Sequence, residues 1–203
     1  MDLYEEEDSF YQEGVSVIAG VDEVGRGCLA GPVFAAAVIL PRGIQIPNLN
    51  DSKKLSPKVR EEVSQRVLDL ALAYQIAQVS VEEIDRLNIL RASLQAMKLA
   101  IHGLSVIPHL LLIDGNQQVA VELSQHLLIG GDGRCASIAA ASVIAKVARD
   151  RYMTEQEKLY PGFNFSRHKG YGTIRHLDEL NRFGPTPLHR RSFSPVSQMT
   201  FAL

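Results

Sequence analysis

Four acidic residues stand directly behind apolar runs, where acids are uncommon. Asp22 and Glu23 close the run Ser16 to Val21, Asp114 closes His109 to Ile113, and Asp132 follows Leu127 to Ile129 across two glycines. Asp and Glu are depleted in strands and seldom buried without a partner. Gathered at one sheet edge, such carboxylates repel and raise one another's pKa. A hard divalent cation with oxygen ligands relieves that repulsion. No Cys or His spacing in the chain suits zinc or a softer metal. Asp22, Glu23, Asp114 and Asp132 are therefore the expected ligands of Mg²⁺ or Mn²⁺. Two such ions side by side would hold both the attacking and the leaving oxygen of an in-line phosphoryl transfer. Singly, each acid also fits a blander role, since Asp114-Gly115-Asn116 and Gly131-Asp132-Gly133 are ordinary turn sequences. Three apolar runs that each end in acid favour the metal reading. Neighbouring strand residues face opposite ways, so a bend is expected that lets Asp22 and Glu23 share a site.

Gly25-Arg26-Gly27 follows the first acidic pair at once. Glycines let the backbone approach a ligand with no Cβ in the way and turn N–H groups toward an anion or a sugar. Alone, G-x-G is a weak signal; beside ligand candidates it predicts backbone contact to the substrate. Ser142, Lys146 and Asp150 are spaced by four and share one helix face. Lys146 either pairs with Asp150 inside the helix or joins Ser142 in binding backbone phosphates. By spacing alone, Lys53 and Lys54 read as a solvated pair ahead of a helix.

The elements that must position these residues follow from patterning. Ser16 to Val21 and Val33 to Leu40 read as strands, and alanines in the second predict close packing by a neighbour. Ser56-Pro57 caps and starts a helix running to about Leu70. Tyr74 to Val81 alternates as a strand, and Ser80-x-x-Glu83 is a capping box before a helix that ends near Gly103. His109 to Ile113 and Leu127 to Ile129 are short strands. Ser137 to Tyr160 is helical, as is Thr173 to Phe183 before Gly184-Pro185. The order fits an α/β fold with a mixed sheet flanked by helices rather than a doubly wound one.

The chain has 203 residues, 46% of them hydrophobic and 22% charged, enough for one sizeable core. Its longest apolar run is too short to span a bilayer. No basic head with an apolar core opens it, and Cys28 and Cys135 read as free thiols, so a cytoplasmic protein is expected. The formal net charge is -2, but residues 1–15 hold six acids and no base. Without them 21 bases face 17 acids, and from Arg134 to Leu203 11 bases face 5 acids. The acidic head is expected to be disordered. The basic segment is read as a patch for phosphate, with His168-Lys169 and His189-Arg190-Arg191 adding charge.

AGVDEVGRG, DSKKLS, IDGN, SIAAAS with AKVARDR, HKGYGT and HRRSF resemble ribonuclease HII in order and spacing, from about Val17 to Val196. The resemblance implies a ribonuclease-H-like fold, a mixed five-stranded sheet flanked by helices, with extra C-terminal helices. It divides the chain into a head of residues 1–15 and one catalytic domain, 16–203, whose basic helical part begins near 161. It implies hydrolysis of the RNA strand of RNA–DNA hybrids and incision of duplex DNA 5′ of single ribonucleotides, leaving a 3′-hydroxyl and a 5′-phosphate. Mn²⁺ or Mg²⁺ would be the cofactor, held by Asp22, Glu23, Asp114 and Asp132, and the enzyme would act as a monomer. Gly25, Arg26, Gly27 and Tyr171 would read the 2′-hydroxyl and the next sugar, the one group that marks a ribonucleotide. Lys53 would approach a phosphate. Two rival readings remain: a metal-dependent nuclease indifferent to the 2′-hydroxyl, and a silent binding module built on the basic segment.

Overall fold

A computed structural model describes residues 3–199; Met1, Asp2 and residues 200–203, parts of the expected segments 1–15 and 16–203, lie outside the described residues. Five strands, β1 (Ile18–Val24), β2 (Val33–Ile39), β3 (Ala73–Val79), β4 (Leu110–Asp114) and β5 (Ser124–Leu128), form one sheet in the order β3-β2-β1-β4-β5. β1, β2 and β3 pair antiparallel, whereas β1, β4 and β5 pair parallel. The mixed five-stranded sheet is as expected. Its parallel half matters for chemistry, because parallel strands deliver their carboxyl ends to the same edge.

Around the sheet pack α1 (Glu5–Gln12), α2 (Pro57–Leu70), α3 (Val81–Leu87), α4 (Ile89–His102), α5 (Ala136–Leu159), α6 (Phe165–His168) and α7 (Ile174–Phe183). All seven residues of β2 are buried. Ala35 and Ala37 face Ala92, Ala96 and Met97 of α4, and Ala36 and Val38 face Ala139, Ala140 and Val143 of α5. Small side chains on both partners bring the helices close, which is the close packing the alanines predicted. A separate core of Met153, Phe163, Phe165, Leu180, Leu188 and Val196 holds the C-terminal part together.

Local signals act as read at several ends. Ser56 accepts the Val59 N–H, Ser80 that of Glu83 and Thr173 that of His176. Asn88 separates α3 from α4 with φ +73° and caps Arg91, a break that hydrophobic spacing does not mark. β1 outruns the expected strand by three residues and carries both acids within it. The disordered head also needs correction, since residues 5–12 form α1 and its Tyr11 packs against Ile18, Leu110, Leu112 and Ile138. One aromatic on the buried face and a buried Glu7 with its own hydrogen bonds outweigh an acidic composition.

Candidate active site

β1 does not bend between Asp22 and Glu23: they pair in register with Ala36 and Ala35 of β2. Their side chains leave on opposite faces. Asp22 turns toward Ser142 on α5, while Glu23 borders a crevice lined by Leu90, Ser93 and Met97 of α4. The turn comes later, at Gly25, with φ +96°. Asp114 ends β4, and its Oδ1 accepts the Gly131 N–H at 2.7 Å, which ties that strand end to the turn holding Asp132. Lys53 Nζ lies 3.3 Å from Asp132 Oδ2.

All four acids therefore occupy one edge. Burial, then the charges of Glu23 and Asp114, push the Asp22 carboxyl well above its usual pKa. Burial raises Glu23 against the pull of the Arg26 guanidinium 3.2 Å away, and raises Asp114 against the Gly131 N–H. Among the described residues no three His, Cys, Asp or Glu side chains are gathered tightly enough to close on an ion as they stand. The carboxylates instead ring an open edge. An all-oxygen, multiply acidic donor set of this kind fits hard Mg²⁺ or Mn²⁺, ions that keep some water and take phosphate oxygens as further ligands.

Beside the acids, the Gly25-Arg26-Gly27 loop is clamped from below by two wholly buried arginines. Arg190 donates to the carbonyls of Gly25 (2.6 Å), Arg26 (2.8 Å) and Gly31 (2.8 and 3.0 Å). Arg149 donates to those of Ala30 (3.0 Å), Pro32 (3.1 Å) and Lys169 (2.9 Å). A Cβ at Gly25 would run into the Arg149 side chain, so close packing as well as φ demands glycine there. Leu29 N–H donates to Gly170 O at 2.8 Å, joining this loop to the one that carries Tyr171. Tyr171 is 39% exposed, with Lys146 Nζ and Arg149 Cζ 5.7 and 5.9 Å from its ring centre.

From Tyr171 an open groove of about 770 Å³ runs past Lys146, Lys169, Arg167, Arg151 and Arg60. Lys146 is paired with Asp150 at 2.6 Å within α5, the first of its two expected roles, and still borders the groove. Ser142 is buried, 3.0 Å from Ser52 Oγ and beside Asp22, so it sits behind the acids rather than on an open surface for phosphate. Lys53 reaches Asp132 instead of lying free; burial lowers its pKa, but Asp132, Asp51 and Asp22 together keep the ammonium above its usual value.

The sequence profile of ribonuclease HII matches residues 19–196. The chain belongs to the ribonuclease HII family. It is therefore a hydrolase of the ribonuclease H type. The ribonuclease HII of Syntrophobacter fumaroxidans is 50% identical over 196 residues, 97% of this chain and 84% of that one. The ribonuclease H2 of Pyrococcus horikoshii superposes with a TM-score of 0.74 at 23% identity, covering 90% of this chain and 96% of that one, and shows the shared ribonuclease-H-like fold. Bst-RNase HIII, solved in complex with Mn²⁺, gives 0.67 at 16% identity over 93% of this chain and 70% of that one. No helix among the described residues is long and apolar enough to cross a membrane.

Sequence reasoning missed the residues that hold the loops. Arg190, His189 and His168 were expected to add surface charge; all three are buried. His189 accepts the Thr186 N–H at Nδ1, which leaves its Nε2 to donate to His176 Nε2 at 3.0 Å. His176 Nδ1 is then the donor to the Tyr171 carbonyl at 2.9 Å. Burial pushes His176 down to about 4 and His189 to about 3, so both stay neutral in these tautomers. His168 accepts the Gly170 N–H at Nδ1 and donates its Nε2–H to Glu179 Oε2 at 2.9 Å. For Arg149 a signal existed: it lies seven residues after Ser142, on the same apolar face of α5. Arg190 offered none. Cys28 and Cys135 are buried free thiols, and burial raises Cys135 well above the reactive range.

Proposed function

We propose that this chain is a divalent-metal-dependent endoribonuclease that hydrolyses the RNA strand of RNA–DNA hybrids and incises duplex DNA 5′ of single ribonucleotides, serving their removal from DNA. The products carry a 3′-hydroxyl and a 5′-phosphate. One observation carries this reading: carboxylates at the ends of the parallel strands β1 and β4 and in the turn after β5 line one edge, directly beside a rigid glycine loop. Asp22, Glu23, Asp114 and Asp132 would hold two Mn²⁺ or Mg²⁺ ions. When bound, the ions supply charge neutralisation at the scissile phosphate and ease loss of a proton from the attacking water.

The chain's own residues do the positioning. Ser142 backs Asp22 from α5, and the Gly131 N–H fixes Asp114. The Gly25-Arg26-Gly27 backbone, immobilised by Arg190, meets the ribose 2′-hydroxyl. Such a site rejects deoxyribose because its own polar groups would be left unpaired. Tyr171 stacks on the neighbouring sugar, and the groove lined by Lys146, Lys169 and Arg167 takes the strand's phosphates. Lys53, resting on Asp132, is within reach of a phosphate brought to the edge. The test is a matched pair of duplexes, with one ribonucleotide or none, incubated with and without Mn²⁺. Incision only at the ribonucleotide, only with the cation, supports the reading. Equal cutting of both duplexes returns the indifferent nuclease, and tight binding without any cutting returns the silent module.

A further inference from the structure

The residues that lead out of Asp132 are gripped from the far end of the chain. Leu3 O accepts the Ala136 N–H at 2.8 Å, and Glu6 lies 3.0 Å from the Arg134 guanidinium. Glu7 Oε1 accepts the Ser137 N–H at 2.6 Å and the Cys135 thiol at 3.0 Å. Helix α5 starts at Ala136, and its capping residue Cys135 offers no side-chain acceptor of its own. Glu7 takes the place of that cap, and a carboxylate there also complements the helix dipole. It is 5% exposed, so no water-facing alternative competes.

The same start of α5 presses on β1. A Cβ at Gly20 would run into the backbone of Ser137 and Ile138, and Gly20 precedes Asp22 by two residues. Asp132 sits in the short 3-10 turn Gly131–Gly133 immediately before the gripped segment. The beginning of α5 thus lies between two parts of the acidic edge, and Glu7 holds it there.

We propose that Glu7 is a positioning residue for the metal site: by fixing the start of α5 it sets the turn that presents Asp132. The inference rests on the reading of Asp132 as a metal ligand. It is tested on the full chain by calorimetric titration with Mn²⁺ and by hydrogen exchange, for the wild type, Glu7→Ala, Glu7→Gln and Asp132→Asn. Loss of a cap of this kind predicts about tenfold weaker Mn²⁺ binding for Glu7→Ala and about tenfold faster exchange at Ala136 and Ser137, with β2 still protected. Glu7→Gln keeps an acceptor oxygen and stays within about threefold of wild type in both readouts. Should Glu7→Ala fail to fold, Glu7→Asp replaces it, because a carboxylate drawn back by one methylene weakens the same two readouts in a folded chain. Wild-type Mn²⁺ affinity in Glu7→Ala or its replacement Glu7→Asp, or protection lost evenly across the sheet at unchanged affinity, overturns the proposal. Asp132→Asn separates the two levels. If it leaves Mn²⁺ binding unchanged, the reading of the acids fails; if it weakens binding while Glu7→Ala and Glu7→Asp do not, only the role of Glu7 falls.

Discussion

The acidic edge and the arginine clamp beneath the glycine loop lie side by side and handle buried charge in opposite ways. At the edge Asp22, Glu23 and Asp114 are all pushed above their usual pKa, chiefly by burial and in part by each other. In the clamp Arg149 and Arg190 are more deeply buried, yet each is answered by three backbone carbonyls. Burial pulls Arg190 down only to about 10, so it keeps its charge near neutral pH. Unpaired buried charge is costly, and charge satisfied by hydrogen bonds is structural. The edge is therefore poised to take a cationic ligand, and the clamp is built to keep a shape.

The sharpest way to break this contrast is to neutralise one member of each region. Asp114→Asn should lower the cleavage rate by about 10³-fold or more, because positioned charge stabilisation is lost, while the unfolding transition stays in place. Retained turnover would remove Asp114 from the site. Arg190→Gln should do the reverse. Leaving carbonyls unanswered in a buried pocket costs about 3–5 kcal/mol of unfolding free energy, read from the urea midpoint. A smaller effect is expected at Tyr171, where Tyr171→Ala should slow incision at an isolated ribonucleotide about tenfold or more by loss of stacking, with little change in Tm. An unchanged rate would take Tyr171 out of recognition.

The smallest effect is a difference in pH dependence. The edge carboxyls have raised folded pKa values, so their contribution is present at low pH and lost as pH rises through those values. Mn²⁺ should therefore raise Tm more at pH 8 than at pH 5, and Asp22→Asn should flatten that arm. The imidazoles run the other way. His176 and His189 are lowered from 6.5 to about 4 and about 3, so the unfolded chain takes protons first and stability falls as pH drops from about 6.5 toward 4. Urea midpoints across this range, for wild type and Asp22→Asn, check both arms.

The edge was legible and the clamp was not, for a physical reason. An acid after an apolar run contradicts local preference, and the contradiction is visible in one dimension. Asp22, Asp114 and Asp132 were singled out that way, and the mixed sheet was read from its run of strands and helices. Arg190 satisfies itself with carbonyls 159 or more residues away in sequence, and no local pattern announces such a partner. The bend expected between Asp22 and Glu23 was mistaken because a strand's end can offer both faces to one edge without bending. Glu7 was hidden in an acidic stretch whose composition reads as disorder, although its partner is a helix start 130 residues on.

Proton release on metal binding bears most directly on the edge. Carboxyls held above their usual pKa must shed protons when a divalent cation arrives, so the heat of Mn²⁺ binding should depend on the buffer's ionisation enthalpy. Titration of Mn²⁺ into the chain should show this dependence and lose it in Asp22→Asn. Binding that is indifferent to buffer and to that substitution, or no binding at all, would contradict the account.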